Sequence, residues 1–232
     1  MNIADQILYE DNHLIAVNKQ PGQLVQGDKT GDTCIADDIK LYLKQRYNKP
    51  GNVFCGVVHR LDRPVSGVVV FAKTSKALSR MNEMVKNRQL QKTYWAVVRN
   101  RPPHEAECLS HWLWRDEKAN KSYVVESDTN SRRKQEAKLA ELDYRLIATS
   151  EGGYNLLEVS LHTGRHHQIR CQLAHIGCPI KGDLKYGAPR SNPDGSISLH
   201  ARRVAFEHPV SHLPIVITAP NATFEAMFGA IN

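Results

Sequence analysis

Residues 55–72 place a polar loop between two apolar runs, and this arrangement constrains the fold more than any other part of the chain. The apolar run 53–58 predicts a buried strand, and a second strand is expected after Gly67. Pro64 cannot donate a ladder hydrogen bond, and Ser66-Gly67 is a further turn signal. The sequence therefore predicts a constrained loop held between two core strands.

Asp62 is the first catalytic candidate in this loop. Arg60 and Arg63 flank it, and a carboxylate anchored to rigid strands is held in one geometry, as a catalytic acid requires. The same residues also fit a plain ion pair or a turn cap, so the local chemistry leaves both interpretations open.

The charge of the chain favours an anionic partner. Lys and Arg number 31 against 24 Asp and Glu, which gives a net charge of +7. The excess is clustered, since residues 80–101 carry six basic side chains and one acidic one, and residues 163–203 carry seven and two. Such clusters suit a phosphate backbone, although a solvated face would have the same composition.

The cysteines and the N-terminus indicate the compartment. The five cysteines form no Cys-x-x-Cys pair, and their odd number argues against a closed disulfide framework. Residues 1–5 carry no Lys or Arg, and no apolar run approaches the roughly 18 residues that span a bilayer. We therefore expect a soluble cytoplasmic protein that has no contact with a membrane.

The remaining pattern predicts a single α+β domain with a mixed, mainly antiparallel sheet flanked by helices and loops. Hairpins are expected where alternating runs flank turn residues, and helices where apolar residues recur at three- or four-residue spacing. The predicted hairpins cover residues 7–17, 112–125 and 142–162, with single strands at 92–99, 198–206 and 215–218. The predicted helices are 33–47, one capped by Thr74 or Ser75, 166–176, and one opening at Asn221, with a mobile polar loop at 128–134.

A second polar cluster lies at residues 161–170, where a strand meets the helix that starts at about His166. Free amides at a helix N-terminus, with Arg165, His167 and Arg170 nearby, could bind an anion or a carboxylate. Arg165 is a natural partner for Asp62, because a guanidinium grips a carboxylate through two bonds. A purely structural salt bridge is an equally good interpretation.

These residues carry a family resemblance. His59-Arg60-Leu61-Asp62-x-x-x-Ser66-Gly67 resembles the His-Arg-Leu-Asp-x-x-Thr-Ser-Gly signature of the RluA family of RNA pseudouridine synthases, with Val65 in place of Thr. Residues 161–170 resemble that family's Leu-x-Thr-Gly-Arg-Thr-His-Gln-Ile-Arg segment, with His166 in place of Thr. Residues 92–94 are similar to its Lys-x-Tyr strand, and residues 179–187 and 199–209 to its later motifs, in the same order.

The resemblance implies a pseudouridine synthase fold. We expect residues 1–232 to form one catalytic domain without the preceding S4-type RNA-binding module of the longer members. It implies isomerisation of specific uridines in structured ribosomal or transfer RNA to pseudouridine, without a cofactor or metal. The target nucleotide must leave the base stack for this chemistry. We expect a monomer that needs no protein partner.

The resemblance also assigns roles to single residues. Asp62 would act as nucleophile or base, Arg165 would keep it charged, and Tyr94 would stack on the uracil. Further substrate-binding residues would be Arg60, which fills the gap left by the base, Ile169, which lies against the base, His59 and Arg170. Tyr94 could equally be strand core, Ile169 a helix face and Arg60 a phosphate contact.

Three alternatives stay open. A non-catalytic RNA-binding protein would need only the basic clusters. A carboxylate-based glycoside or nucleoside hydrolase would need a second acid, for which Asp183 is the candidate. A zinc site is conceivable because histidines and cysteines at four-residue spacing crowd one short span, namely His166, His167, Cys171, His175 and Cys178.

Overall fold

The computed structural model describes residues 2–27, 31–126 and 131–229, and these residues form two compact units. The first contains the described residues of Met1–Lys92 and His200–Asn221, and the second those of Thr93–Leu199 and Ala222–Asn232. Strands and helices occur in both units, which confirms the α+β class. The expectation that residues 1–232 make up one catalytic domain stays a prediction.

The regular elements are numbered in chain order. The strands are β1 Ile7–Glu10, β2 Leu14–Lys19, β3 Gly56–Val57, β4 Ser66–Ala72, β5 Gln91–Val98, β6 Ala106–Asp116, β7 Lys121–Val124, β8 Lys138–Thr149, β9 Asn155–Leu161, β10 Leu199–Glu207 and β11 Pro214–Thr218. The helices are α1 Ile35–Arg46, α2 Ser75–Lys86, α3 Ser131–Glu136, α4 Gln168–His175 and α5 Ala222–Phe228.

The sheet of the first unit has the order β1-β2-β4-β10, with β11 on β10 and β3 on β4. The β4–β10 pair is parallel and the other pairs are antiparallel, as the mixed, mainly antiparallel prediction requires. Strands β2 and β4 are buried on both faces. One face packs against α1 and the other against α2, so the strands that flank the Asp62 loop are central to the core.

The predicted strand at residues 53–58 is wrong in extent, because only β3, Gly56–Val57, pairs with β4. Val53, Cys55 and Val57 pack against the α1 side of the core. Phe54, in contrast, is 42% exposed. An apolar side chain can pack on a core without its backbone joining the sheet, and this is what Val53 and Cys55 do.

The sheet of the second unit has the order β5-β9-β8-β6-β7. The predicted hairpins are confirmed: Trp114 pairs with Tyr123 across β6 and β7, and β8 pairs with β9. Helix α4 covers one face of the sheet through Cys171, which packs with Leu113 and Ala140.

Two further predictions need correction. Helix α4 begins at Gln168 rather than His166, because His167 has a left-handed backbone with φ of 51° and breaks the helical path. Part of the predicted loop 128–134 is helix α3, Ser131–Glu136, and residues 127–130 lie outside the described residues. None of the described helices is long and apolar enough to cross a bilayer.

Candidate active site

The loop that carries Asp62 is closed by a turn and backed by a buried histidine. Val65 N donates to Asp62 O at 3.0 Å, and Asp62 itself is half-buried. His59 Nε2 accepts from Val70 N of β4 at 3.2 Å. Burial, helped by the charge of Lys92, lowers the pKa of His59 to about 3. His59 is therefore a neutral ring that anchors the start of the loop to the sheet.

Lys19 supports the loop from within the core, and it is not among the predicted site residues. Its side chain is fully buried, and Nζ donates to the carbonyl oxygens of Gln20 at 3.1 Å, Arg63 at 3.0 Å and Val65 at 2.5 Å. Burial lowers the pKa of Lys19 to about 8, although the charge of Asp62 opposes this shift. A signal was present in the sequence, since Lys19 lies two residues after Val17 and side chains two apart in a strand share a face.

The end of the loop is fixed by Ser66 and Gly67. His200 Nε2 donates to Ala219 O at 3.1 Å, so its Nδ1 accepts the Ser66 hydroxyl at 2.8 Å. Burial lowers the pKa of His200 to about 4, so the ring is neutral near pH 7 and carries its one proton on Nε2. Gly67 has φ of 117°, and a Cβ there would lie 2.3 Å from Ala201 O on β10. Only glycine fits this close approach of the two backbones.

The two arginines of the loop lie at its surface. Arg60 is exposed. Arg63 Nε donates to Gly22 O at 3.1 Å, and its guanidinium lies 3.2 Å from a carboxylate oxygen of Asp32. Both partners of that pair are half exposed, so it contributes little stability.

In the second unit, Gln168 organises the segment that carries Arg165. Its side-chain oxygen accepts from Thr163 Oγ1 at 2.8 Å and from Arg165 N at 3.0 Å, and its Nε2 donates to Glu141 O at 3.0 Å. Arg165 Nε donates to Leu139 O of β8 at 2.8 Å. The backbone and one nitrogen of the Arg165 side chain are thus both tied to the sheet.

Arg170 forms a buried ion pair. Its Nε and one terminal nitrogen donate to the two carboxylate oxygens of Asp183 at 2.7 and 2.9 Å, and the Asp183 side chain has no exposed surface. This two-bond pair fastens α4 to the loop that follows it. Asp183, the second acid that a hydrolase would need, is therefore already paired with Arg170.

The cluster considered for zinc has other hydrogen bonds. His166 contacts Ser122 and Asn120, His167 Nδ1 lies 3.0 Å from the Tyr186 hydroxyl, and Cys171 Sγ donates to Ser122 O at 3.3 Å. Across residues 2–27, 31–126 and 131–229, no three His, Cys, Asp or Glu side chains are grouped so that they could hold a metal ion.

The structure places the predicted site residues in two groups. His59, Arg60 and Asp62 share one loop of the first unit. In the second unit, Arg165 precedes α4, while Ile169 and Arg170 lie in its first turn. Tyr94 lies in β5 of the same unit, and Tyr94 and Ile169 are 7% and 5% exposed.

Residues 13–175 match the family described as RNA pseudouridylate synthase. The chain belongs to this family. It is 34% identical over 234 residues to tRNA pseudouridine synthase C of Vibrio cholerae serotype O1, with 92% of this chain and 90% of the relative covered. It is 32% identical over 226 residues to ribosomal large subunit pseudouridine synthase C of Buchnera aphidicola, with 94% and 68% covered.

A solved structure agrees with the sequence relatives. Human RNA Pseudouridylate Synthase Domain Containing 4 superposes with a TM-score of 0.80 at 25% identity, covering 97% of this chain and 91% of that chain. The predicted family, fold class and enzyme class are confirmed, and the chain is an RNA pseudouridine synthase. The matched residues 13–175 include Asp62, Tyr94 and Arg165.

Proposed function

We propose that this pseudouridine synthase isomerises specific uridines in ribosomal or transfer RNA, and that Asp62 is its essential catalytic residue. The N1–C1′ bond breaks, the uracil turns, and C5 bonds to C1′. The C5 proton then leaves to solvent and N1 takes up a proton, so the isomerisation involves no change of oxidation state and requires no cofactor. The names of two relatives, one ribosomal and one transfer RNA enzyme, support this range of substrates. We also propose that it works in the cytoplasm as a monomer, without an obligatory protein partner.

The observation that carries the proposal is how Asp62 is held. A neutral histidine, a buried lysine and a serine–histidine pair fix the backbone on both sides of this half-buried carboxylate. Such support limits the motion of the carboxylate, which is what attack on C1′ or removal of a ribose proton requires. Asp62 acts as nucleophile or as base in this proposal.

The remaining roles follow the family match and the local geometry. Arg165 stabilises the negative charge of the reacting centre, and its tie to Leu139 O limits where its guanidinium can reach. Tyr94 stacks on the uracil and Ile169 supplies an apolar contact to it. Arg60, which is exposed, fills the space that the flipped base leaves. His59 and Arg170 serve substrate binding indirectly, because both are buried: His59 bonds to the β4 backbone, and Arg170 pairs with the Asp183 carboxylate.

The test is Asp62→Asn, assayed by tritium release from RNA labelled at C5 of uridine. The C5 hydrogen leaves when C5 bonds to C1′, so we expect tritium release to fall by about 10³-fold or more, the scale of removing a nucleophile. RNA affinity should change less than about threefold, because phosphate contacts dominate it. Asp5→Asn, an exposed carboxylate of the same unit, is the matched control and should keep full activity.

Other outcomes decide between the alternatives. Normal turnover by the Asp62→Asn variant would remove Asp62 from catalysis. Binding without tritium release by the unmodified protein would favour the non-catalytic RNA-binding protein. Release of free uracil instead of pseudouridine would favour the hydrolase.

A further inference from the structure

The β6–β7 hairpin of the second unit places three aromatic side chains on one face, two of them exposed and the third, Trp114, half-buried. Trp112 is 54% exposed and Tyr123 is 40% exposed. Trp114 lies opposite Tyr123 in the strand pair, and their rings stack with centroids 6.1 Å apart and planes 29° apart. Leu113, between the two tryptophans, is buried against α4, so alternation places Trp112 and Trp114 together on the opposite face.

A cationic side chain lies over each of the two stacked rings. Arg133 of α3 lies over the Trp114 ring with its Cζ 4.5 Å from the centroid, and Lys121 Nζ lies 5.2 Å from the Tyr123 centroid. Trp114 Nε1 donates to Glu136 of α3 at 2.9 Å, which fixes the orientation of the indole. We call the five residues Trp112, Trp114, Lys121, Tyr123 and Arg133 the aromatic platform.

The aromatic platform is joined to the segment that carries Arg165 within the same unit. Trp112 pairs with Leu139 across β6 and β8, and Leu139 O accepts the Arg165 Nε bond. His166 contacts the Ser122 hydroxyl at 3.0 Å, next to Tyr123. The Arg165 segment and the platform therefore belong to one hydrogen-bonded framework, and the distance between them is set by the sheet.

We propose that the aromatic platform binds unpaired bases of the RNA substrate next to the target uridine. Exposed aromatic rings stack on successive bases of single-stranded RNA, while neighbouring lysine and arginine side chains neutralise its phosphates. Cations placed over the rings favour an anionic polymer with planar bases over an apolar protein surface. This inference rests on the proposed function, because it assumes that Arg165 marks where the target nucleotide reacts.

Two variants separate stacking from mere apolar bulk. The leucine variant, W112L/W114L/Y123L, keeps apolar volume and loses the ring planes, whereas the phenylalanine variant, W112F/W114F/Y123F, keeps a ring at each position. The matched control is Phe54→Leu, a 42% exposed aromatic of the first unit. Circular dichroism of each variant reports whether it folds.

The binding probes are a 12-nucleotide oligouridylate and an RNA duplex of the same length, measured by fluorescence anisotropy. We expect the leucine variant to lose about 10- to 100-fold in affinity for the single strand, which is the scale of losing one or two base stacks. Its affinity for the duplex should change less than about threefold, because duplex bases are not available for stacking. The phenylalanine and Phe54→Leu variants should bind the single strand nearly as the unmodified protein does.

The activity readout is single-turnover tritium release from C5-labelled RNA with enzyme in excess. The enzyme concentration that gives half the maximal rate should rise about tenfold in the leucine variant, while the maximal rate is kept. Unchanged half-saturation and unchanged oligouridylate affinity in a folded leucine variant would overturn the inference. So would self-association of the unmodified protein that the leucine variant lacks, together with normal RNA affinity.

The same experiments distinguish this inference from the proposed function. If the unmodified protein releases no tritium but the leucine variant loses oligouridylate binding, the proposed catalysis fails and the platform stands as a binding surface. If the unmodified protein releases tritium and the leucine variant matches it throughout, the catalysis stands and the platform is refuted.

Discussion

The loop that carries Asp62 and the segment that carries Arg165 are each held by buried polar side chains, but the chemistry of the two regions differs. The Asp62 loop rests on groups whose charged forms are disfavoured by burial, namely His59, His200 and Lys19. The Arg165 segment rests on the amide of Gln168 and on the Arg170–Asp183 pair, in which two full charges offset one another.

This difference predicts different sensitivities. A support made of neutral histidines and a buried lysine with a lowered pKa changes when the pH changes, because proton binding differs between the folded and unfolded states. A support made of a charge pair is sensitive mainly to the loss of one partner, since the other charge is then buried alone. Each of the following experiments changes one side of this comparison.

The largest effect on stability is expected from Arg170→Leu. The carboxylate of Asp183 would be left buried without its partner, and the free energy of unfolding should fall by about 3–5 kcal/mol. All three tryptophans, residues 95, 112 and 114, lie in the second unit, so guanidinium denaturation followed by tryptophan fluorescence reports this region.

The matched control is the double variant R170L/D183L, which removes both charges and should recover most of the lost stability. Equal stability of the single and double variants would mean that the unpaired charge is not what destabilises the protein.

A smaller effect is expected from acid on the Asp62 loop. The pKa of His59 is about 3 when folded and ordinarily 6.5, so the unfolded chain binds the proton first and stability falls as the pH falls below 6.5. Between about pH 6.5 and pH 4, His59 should lower the free energy of unfolding by about 3 kcal/mol. His59→Gln should abolish that part of the decrease in stability at acid pH.

Hydrogen exchange of the β4 amides, including Val70 N–H, gives the stability of this region at each pH. His104→Gln, an exposed histidine of the second unit, should retain the acid dependence of the unmodified protein. If His59→Gln retains it as well, burial of His59 is not its source.

The smallest of the three effects concerns alkaline pH and Lys19. Its pKa is about 8 when folded and ordinarily 10.5, so the folded state releases the proton first and stability rises with pH over that interval. Between about pH 8 and pH 10, the free energy of unfolding of the unmodified protein should rise by about 2 kcal/mol relative to that of Lys19→Met, as measured by exchange of the same β4 amides. A difference that does not depend on pH would contradict the lowered pKa.

Most of the fold could be predicted because hairpins and amphipathic helices repeat a pattern over many residues. The β8–β9 hairpin and α2, with Thr74 Oγ1 accepting from Ala77 N, are examples. Short segments were harder. The extent of β3 depends on which backbone reaches β4, and the start of α4 depends on the left-handed backbone of His167. Neither can be deduced from polarity.

The candidate site could be proposed from the sequence where its residues lie in a contiguous motif, as around Asp62 and Arg165. Its supports were not, because they are contacts between residues far apart in the chain. Lys19 reaches Val65, and His200 reaches Ser66, across 46 and 134 positions. The sequence placed the tryptophans only in a hairpin. Periodicity predicts on which face of a sheet a side chain lies, but not whether another element covers that face.

Gly67 also bears on how this gene can vary. Every single-base change of a glycine codon that alters the amino acid without ending translation adds a Cβ atom, and at this position that atom would meet the backbone of Ala201 rather than a movable side chain. No conservative replacement exists at position 67. Even a change to alanine would force β4 and β10 apart, directly beside the hydroxyl that closes the Asp62 loop.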